Sequence, residues 1–283
     1  MERLVIHPGL HKTGTTAVQQ YLTAHAKMLR QRGISYLLLD RMRREATPLL
    51  RNTDRPEDAR RYLEGFPAPV LILSDENIAG GQSEIAAGEF YPLLGSRLTS
   101  IAENLPGVEI DVVLTLRNPA DLLPGLYSEY VRSQDFVSFA SYAANLDLGS
   151  LSYWERFRWL RAMPKNVTMH LVPYERQFGA GVAGVAAAIL RAAIGSSVGF
   201  DLRGFYEKKV RTSFTTEEIE LAALIAQKSR PTVARRFLNN LDDTGARFGE
   251  HRFSPVPPAA AAAITERYRE DLERFGLIAA APA

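Results

Sequence analysis

Five short apolar runs recur along the first 180 residues of this 283-residue chain, and segments with helical spacing of apolar residues separate them. Most of the runs lack the apolar and polar alternation of a strand with one solvated face. The runs are Arg3 to His7, Ile34 to Leu39, Val70 to Ser74, Ile110 to Leu116 and Val167 to Val172. Continuous apolar strands that alternate with helices predict a parallel sheet covered on both faces.

Helices are predicted between these strands, and only helices are predicted after Gly195. The first group is Thr15 to Gly33, Arg55 to Gly65, Pro119 to Gln134, Leu151 to Met163 and Val182 to Ile194. The second group is Thr216 to Gln227, Val233 to Leu241 and Pro257 to Phe275. Thr215 and Glu218 have the spacing of a capping box. We therefore expect one α/β domain over residues 1–283, with a five-stranded sheet core in about residues 1–200 and a helical C-terminal part in about residues 201–283.

Composition narrows the class of protein. The chain has no cysteine, which excludes a disulfide scaffold and any Cys-ligated metal site. Its 34 basic and 32 acidic residues give no single-sign field of the kind that predicts a nucleic-acid partner. Its apolar runs are too short for a membrane span or a signal peptide. We expect a cytoplasmic protein; the oligomeric state stays open.

A glycine-rich loop between the first strand and the first helix carries the strongest chemical signal. Its sequence is GLHKTGTT, from Gly9 to Thr16. The free N–H groups of a helix's first turn bind anions, and a lysine and hydroxyls add donors for a phosphate. Gly9 and Gly14 have the spacing of the GxxxxGK[ST] loop, but Thr15 takes the place of its lysine, and the lysine lies upstream at Lys12.

The Lys12 to Thr16 segment resembles the first signature of the sulfotransferases that use 3′-phosphoadenosine 5′-phosphosulfate (PAPS). This resemblance implies a three-layer fold like that of P-loop nucleoside triphosphatases, with PAPS as donor and adenosine 3′,5′-bisphosphate as product. It also implies that Lys12 contacts the leaving phosphate oxygen and that no metal is required. The residues that it assigns to the 5′-phosphosulfate are His11, Lys12, Thr13, Gly14, Thr15 and Thr16.

A strand-ending arginine is the second candidate. Arg117 follows the fourth run, and Asn118 and Pro119 fit the cap and first position of a helix. It resembles the second sulfotransferase signature, in which an arginine and a serine eight residues later hold the 3′-phosphate. That place is Gly125 here, so either Ser128, one helical turn further on, or the Gly125 backbone with a water takes the serine's role.

An acid pair follows the third run. The segment resembles the Ser-x-Glu-Asn/Asp segment that supplies a carboxylate beside the acceptor in bacterial sulfotransferases. This resemblance implies that Glu76 is the general base that takes the acceptor's proton, with Asp75 as the alternative. The pair also resembles the acidic element that holds magnesium in phosphoryl-transfer enzymes, or either acid simply caps the next helix. His7 and His11 are rival bases for which the sequence shows no partner.

Weaker candidates complete the set. By resemblance, Tyr174 lines the nucleotide side of the cleft, and Arg211 and Ser213 close over the 3′-phosphate. A cluster of arginines between the second and third runs forms either an acceptor lid that attracts an acidic glycan or, more simply, a charged surface. The cluster is Arg41, Arg43, Arg44, Arg51 and Arg55.

Together these features predict sulfuryl transfer from PAPS to a hydroxyl or amine of a glycan or small molecule. An ATP- and magnesium-dependent kinase or phosphotransferase is one alternative, because the acid pair fits a magnesium site. A nucleotide-binding protein without catalytic activity is the other. The acceptor itself is not determined by these motifs.

Overall fold

A computed structural model of the protein describes residues 1–81, 84, 88–178, 181–197, 199–202 and 213–279. Its centre is a sheet of five parallel strands in the order β2-β3-β1-β4-β5. The strands are β1 Arg3–His7, β2 Ile34–Tyr36, β3 Val70–Ser74, β4 Glu109–Leu116 and β5 Val167–Pro173. The predicted parallel α/β sheet is confirmed.

Helices connect the strands. Between β1 and β3 they are α1 Thr15–Ala24, α2 Ala26–Gln31, α3 Leu39–Arg41, a π-helix Met42–Ala46, α4 Thr47–Arg51 and α5 Pro56–Glu64. Between β3 and β5 they are the 3₁₀ turn Glu76–Ile78, α6 Leu94–Asn104, α7 Pro119–Ser133, α8 Phe139–Ala143, the 3₁₀ turn Leu148–Ser150, α9 Tyr153–Arg156 and the 3₁₀ turn Arg158–Ala162. After β5 follow α10 Gly181–Ile194, α11 Thr216–Lys228, α12 Pro231–Thr244 and α13 Pro258–Arg274.

The strands send successive side chains to opposite faces, and each face has its own apolar cluster. Val5 of β1 packs with residues of α1, α2 and α10. Leu4 and Ile6 pack with residues of α6, α7 and the C-terminal helices, including Leu238 and Leu272. The sheet therefore lies between two helical layers, and the C-terminal helices share the core of one of them.

The strand order places a topological switch at β1. The chain moves from β1 outward to β2 and back to β3 on one side, and it then continues through β4 and β5 on the other side. Connections that leave neighbouring strands in opposite directions open a crevice at their carboxyl ends, where open α/β sheets bind ligands. The segments that follow β1, β3 and β4 meet at this crevice.

Several boundaries differ from the sequence prediction. The predicted Thr15 to Gly33 helix is interrupted at His25, whose ring nitrogen Nδ1 lies 2.9 Å from the Tyr21 carbonyl oxygen and whose backbone leaves the helical range. The second strand ends at Tyr36, three residues early, because the chain turns into the helical segment 39–51. The predicted Leu151 to Met163 helix is two short helical pieces.

Both predicted caps are confirmed. The Asn118 side chain accepts a hydrogen bond from the Ala120 N–H at 3.0 Å, and Pro119 occupies the first helical position. Thr215 and Glu218 form a complete capping box at the start of α11. Among the residues that the structure describes, no helix has both the length and the apolar character needed to cross a bilayer.

Replacing Thr215 with alanine should lower the free energy of unfolding by about 1 kcal/mol, because α11 loses its side-chain cap. The Thr215 hydroxyl also donates to the Phe248 carbonyl oxygen at 2.7 Å, so the loop before α13 loses a contact as well. Urea denaturation measures the change. Thr244→Ala, at the exposed end of α12, is the control and should alter the free energy by less than about 0.5 kcal/mol. Equal stability of wild type and Thr215→Ala would contradict this role.

Candidate functional site

The loop after β1 turns through three left-handed backbone positions, at Gly9, Lys12 and Gly14, with φ of 47°, 63° and 79°. A Cβ at Gly9 would lie 2.7 Å from Thr15 Oγ1, so a larger residue would collide with the start of α1. The Thr13 hydroxyl donates to the Leu10 carbonyl oxygen and is fully buried. Thr13 therefore shapes the loop, and the glycines allow it to wrap closely around the helix N-terminus.

The first turn of α1 has hydrogen-bond donors without partners. Among the described residues, no acceptor takes the backbone N–H groups of Thr13, Gly14, Thr15 or Thr16. The Thr15 hydroxyl is also buried without a partner. Converging N–H groups at a helix N-terminus, together with a hydroxyl, form a binding site for an oxyanion such as phosphate or sulfate. This loop is the chemical centre of the candidate site.

The ammonium group of Lys12 lies on a carboxylate. Lys12 Nζ forms an ion pair with Glu129 of α7, and both side chains are mostly buried. Glu129 Oε1 also accepts from Arg132 at 2.7 Å. Because Arg132 stays with Glu129, Lys12 can move toward an anion in the loop without leaving a buried carboxylate unpaired.

The lack of a side chain at Gly125 leaves room for Lys12 to pack against α7. A Cβ at Gly125 would lie 3.2 Å from Lys12 Cγ, so the stem of the lysine packs across the helix at that point. Where the second sulfotransferase signature has serine, this chain thus provides space for the loop lysine. Ser128 does not take over the role in this structure, because it is fully buried and its hydroxyl donates to the Pro124 carbonyl oxygen at 2.9 Å.

Arg117 reaches the loop. Its guanidinium donates to the Lys12 carbonyl oxygen, and its Cζ lies 4.9 Å from the centre of the Tyr174 ring. A Cβ at Gly14 would lie 3.4 Å from Tyr174 Cε2. The ends of β4 and β5 therefore bring a cation and an aromatic ring against the glycine loop.

The two candidates after α10 are placed less directly. Arg211 lies outside the described residues. Ser213 is partly buried and precedes Phe214, whose ring packs 4.3 Å from the Arg132 guanidinium carbon. Ser213 is therefore adjacent in sequence to a residue that packs on Arg132, the partner of Glu129. It makes no hydrogen bond to the described loop residues.

The two acids after β3 have different surroundings. Asp75 is fully buried and accepts from Thr47 Oγ1 at 2.6 Å, from Arg43 and from the Asn77 N–H, so it caps the 3₁₀ turn Glu76–Ile78. Glu76 is 18% exposed. Its Oε1 accepts from Arg43 at 2.8 Å and its Oε2 from Gln19 at 3.3 Å. Of the two carboxylates, only Glu76 faces the crevice.

The loop histidines do have partners. His7 Nδ1 lies 2.8 Å from Ser74 Oγ, and burial lowers the pKa of His7 from 6.5 to about 4. His11 Nδ1 lies 3.2 Å from the Tyr91 hydroxyl, which also accepts the His11 backbone N–H. Burial lowers the pKa of His11, against the nearby carboxylates led by Glu76. Both histidines are therefore neutral at pH 7.

The sequence interpretation did not include several residues that build this site. Glu129 and Arg132 lie on the predicted Pro119 to Gln134 helix, but no motif marks them as partners of Lys12. Gln19 follows the loop motif by one helical turn, which is a usable signal. Tyr91 comes from a distant segment that carries no motif. Arg43 and Gly125 are named in the sequence interpretation, but their contacts with Glu76 and Lys12 are not predicted there.

Comparison with known protein families, with curated proteins and with solved structures gives no significant match. Within the part of the chain that the structure describes, no group of three or more His, Asp or Glu side chains is arranged to hold a metal ion. The chemical interpretation of the site therefore depends on its geometry: an anion-binding loop, the cations of Lys12 and Arg117, and the partly buried carboxylate of Glu76.

The burial of His7 predicts a pH dependence of stability. Below pH 6.5 the unfolded chain binds a proton at this position and the folded chain does not until about pH 4, so acidification through this window destabilises the fold. Where the unfolded chain binds one proton more than the folded chain, the free energy of unfolding falls by about 1.4 kcal/mol for each pH unit of acidification. His7→Asn should reduce the slope of unfolding free energy against pH between 6 and 4.5, measured in urea. Part of the slope should remain in this variant, because burial also lowers the pKa of His11. Identical slopes for the two proteins would contradict the burial of a neutral His7.

Proposed function

We propose that this protein is a PAPS-dependent sulfotransferase with a P-loop-like nucleotide site. One observation carries the proposal: four consecutive N–H groups, Thr13 to Thr16, at the end of the loop and the start of α1, and the buried Thr15 hydroxyl have no partner in the described chain. An arrangement of this kind is stabilised by a tetrahedral oxyanion. The 5′-phosphosulfate of PAPS fits this chemistry.

The remaining groups suit a donor nucleotide that is anionic at both ends. Lys12, released from Glu129, would contact the bridging oxygen between phosphorus and sulfur. Arg117, at the end of β4, would bind the 3′-phosphate, since a guanidinium pairs with phosphate through two N–H groups. Tyr174 would line the nucleotide beside Arg117.

In the proposed reaction, an acceptor hydroxyl oxygen attacks the sulfur atom. The bond between sulfur and the bridging oxygen breaks, and its electron pair passes to the phosphate of adenosine 3′,5′-bisphosphate. Lys12 and the N–H groups of the loop stabilise that growing charge. The acceptor's proton passes to Glu76, whose Oε2 has only a long contact with Gln19 and keeps a lone pair for it.

An ATP-dependent phosphotransferase remains the principal alternative. It would use Asp75 and Glu76 as magnesium ligands. Two features favour sulfuryl transfer: Arg43 pairs with both carboxylates, and Lys12 precedes Gly14 instead of following it. A nucleotide-binding protein without activity would share the loop but would not need a carboxylate at position 76.

Adenosine 3′,5′-bisphosphate at 100 times its Kd should stabilise the fold by about 2.7 kcal/mol in metal-free buffer. Lys12→Met should weaken this binding about 10- to 100-fold, because one charge-assisted hydrogen bond is lost. Calorimetry measures the affinity. Lys27→Met, on the exposed side of α2, is the matched control and should bind as wild type does. Stabilisation by ATP with magnesium but not by adenosine 3′,5′-bisphosphate would favour the phosphotransferase.

Glu76→Gln should lower the turnover number about 10²- to 10⁴-fold, since the amide cannot take the acceptor's proton. Affinity for adenosine 3′,5′-bisphosphate should stay unchanged. An acceptor screen by mass spectrometry, with PAPS as donor, first identifies a substrate through the gain of one SO₃ group. Glu220→Gln, at an exposed position of α11, is the control. Wild-type turnover by Glu76→Gln would reject Glu76 as the base.

A further inference from the structure

A cleft of about 420 Å³ lies next to Arg43, whose guanidinium group donates to Glu76 Oε1. One face of the helical segment 39–51 lines it with Arg43, Thr47 and Arg51, spaced four residues apart. Residues four apart project from the same side of a helix, so a single helical face presents two guanidinium groups to the cleft. Pro48 and Asn77 complete its lining.

Arg43 connects this cleft to the proposed base. Its NH2 group donates to Glu76 Oε1 at 2.8 Å, and its Nε lies 3.3 Å from Asp75 Oδ1. The side chain is nevertheless 43% exposed. A molecule in the cleft can therefore contact the same guanidinium group that binds Glu76.

Arg51 differs from Arg43 because its guanidinium group makes no hydrogen bond within the described chain. Its closest carboxylate oxygen is Glu84 Oε1, at 3.6 Å, and the same oxygen lies 3.7 Å from NH2 of the buried Arg97. Two guanidinium groups thus share one carboxylate. Burial and, next, the neighbouring Arg51 charge lower the pKa of Arg97, while Glu84 raises it.

We propose that this cleft binds the acceptor, and that the acceptor carries an oxyanion group close to the hydroxyl that is sulfated. The oxyanion, a carboxylate or a phosphate or sulfate ester, would pair with Arg51 through two N–H groups. Arg43 and Thr47 would then align the hydroxyl with Glu76. An acidic sugar has this chemistry. The inference rests on the proposed sulfotransferase function.

The test compares methyl glucuronide, glucose 6-phosphate and the neutral methyl glucoside. Their binding to the full chain is measured by ligand-observed NMR, with and without saturating adenosine 3′,5′-bisphosphate, so that the readout does not require turnover. At least one of the two anionic sugars should bind about tenfold more tightly than methyl glucoside. The carboxylate and phosphate arms show which oxyanion the cleft prefers.

Arg51→Gln should weaken binding of the anionic sugar about tenfold and leave the affinity for methyl glucoside unchanged. Arg44→Gln is the matched control: Arg44 is exposed on the same helical segment, one residue beyond Arg43, and does not line the cleft. Its affinity for all three sugars should match that of wild type. In both variants, circular dichroism and affinity for adenosine 3′,5′-bisphosphate should also match.

Two results would overturn different parts of the inference. Equal binding of neutral and anionic sugars, or an anion preference unaffected by Arg51→Gln, would reject the cleft as an oxyanion site while the donor site stands. Arg51-dependent binding of the anionic sugar in a protein that fails to bind adenosine 3′,5′-bisphosphate would reject the sulfotransferase function, and with it the acceptor role of the cleft.

Discussion

The arrangement of the site depends on one constraint: a helix that begins at a sheet edge has N–H groups that its own turns do not satisfy. Here α1 begins directly after a loop that holds three left-handed positions. The glycines allow the chain to pass within contact distance of Thr15, and Thr13 ties the loop to itself. The donors of the first turn are therefore left facing the crevice at the carboxyl end of β1.

A series of ion pairs connects this crevice to the C-terminal helices. Lys12 contacts Glu129, Glu129 contacts Arg132, and Arg132 pairs with Asp242 of α12. Asp242 in turn contacts Arg247. A chain of alternating charges thus links the loop lysine to the C-terminal helices, which identifies a structural role for this part of the molecule beyond covering the sheet.

Asp75 and Glu76, which follow β3, also have charged and polar partners. Asp75 accepts hydrogen bonds from the Asn77 N–H, the Thr47 hydroxyl and Arg43. This fully buried carboxylate therefore has hydrogen-bond partners. Its neighbour Glu76 stays partly exposed between Gln19 and Arg43. The two adjacent acids therefore have different roles. Asp75 is structural, because it is buried against Thr47 of the segment 39–51, whereas the partly exposed Glu76 is available for chemistry.

The sequence by itself determined the parallel sheet, the two helix caps and the placement of the glycine loop, since these depend on local periodicity and on contacts three or four residues apart. It also identified Arg117 beside the loop, because carboxyl ends of parallel strands share one edge. Only the tertiary structure decided that Lys12 pairs with Glu129, that Ser128 is buried, and that Arg43 lies on Glu76. These contacts join segments 33 to 117 residues apart or depend on the rotation of a helix within the core, and local pattern carries no information about either.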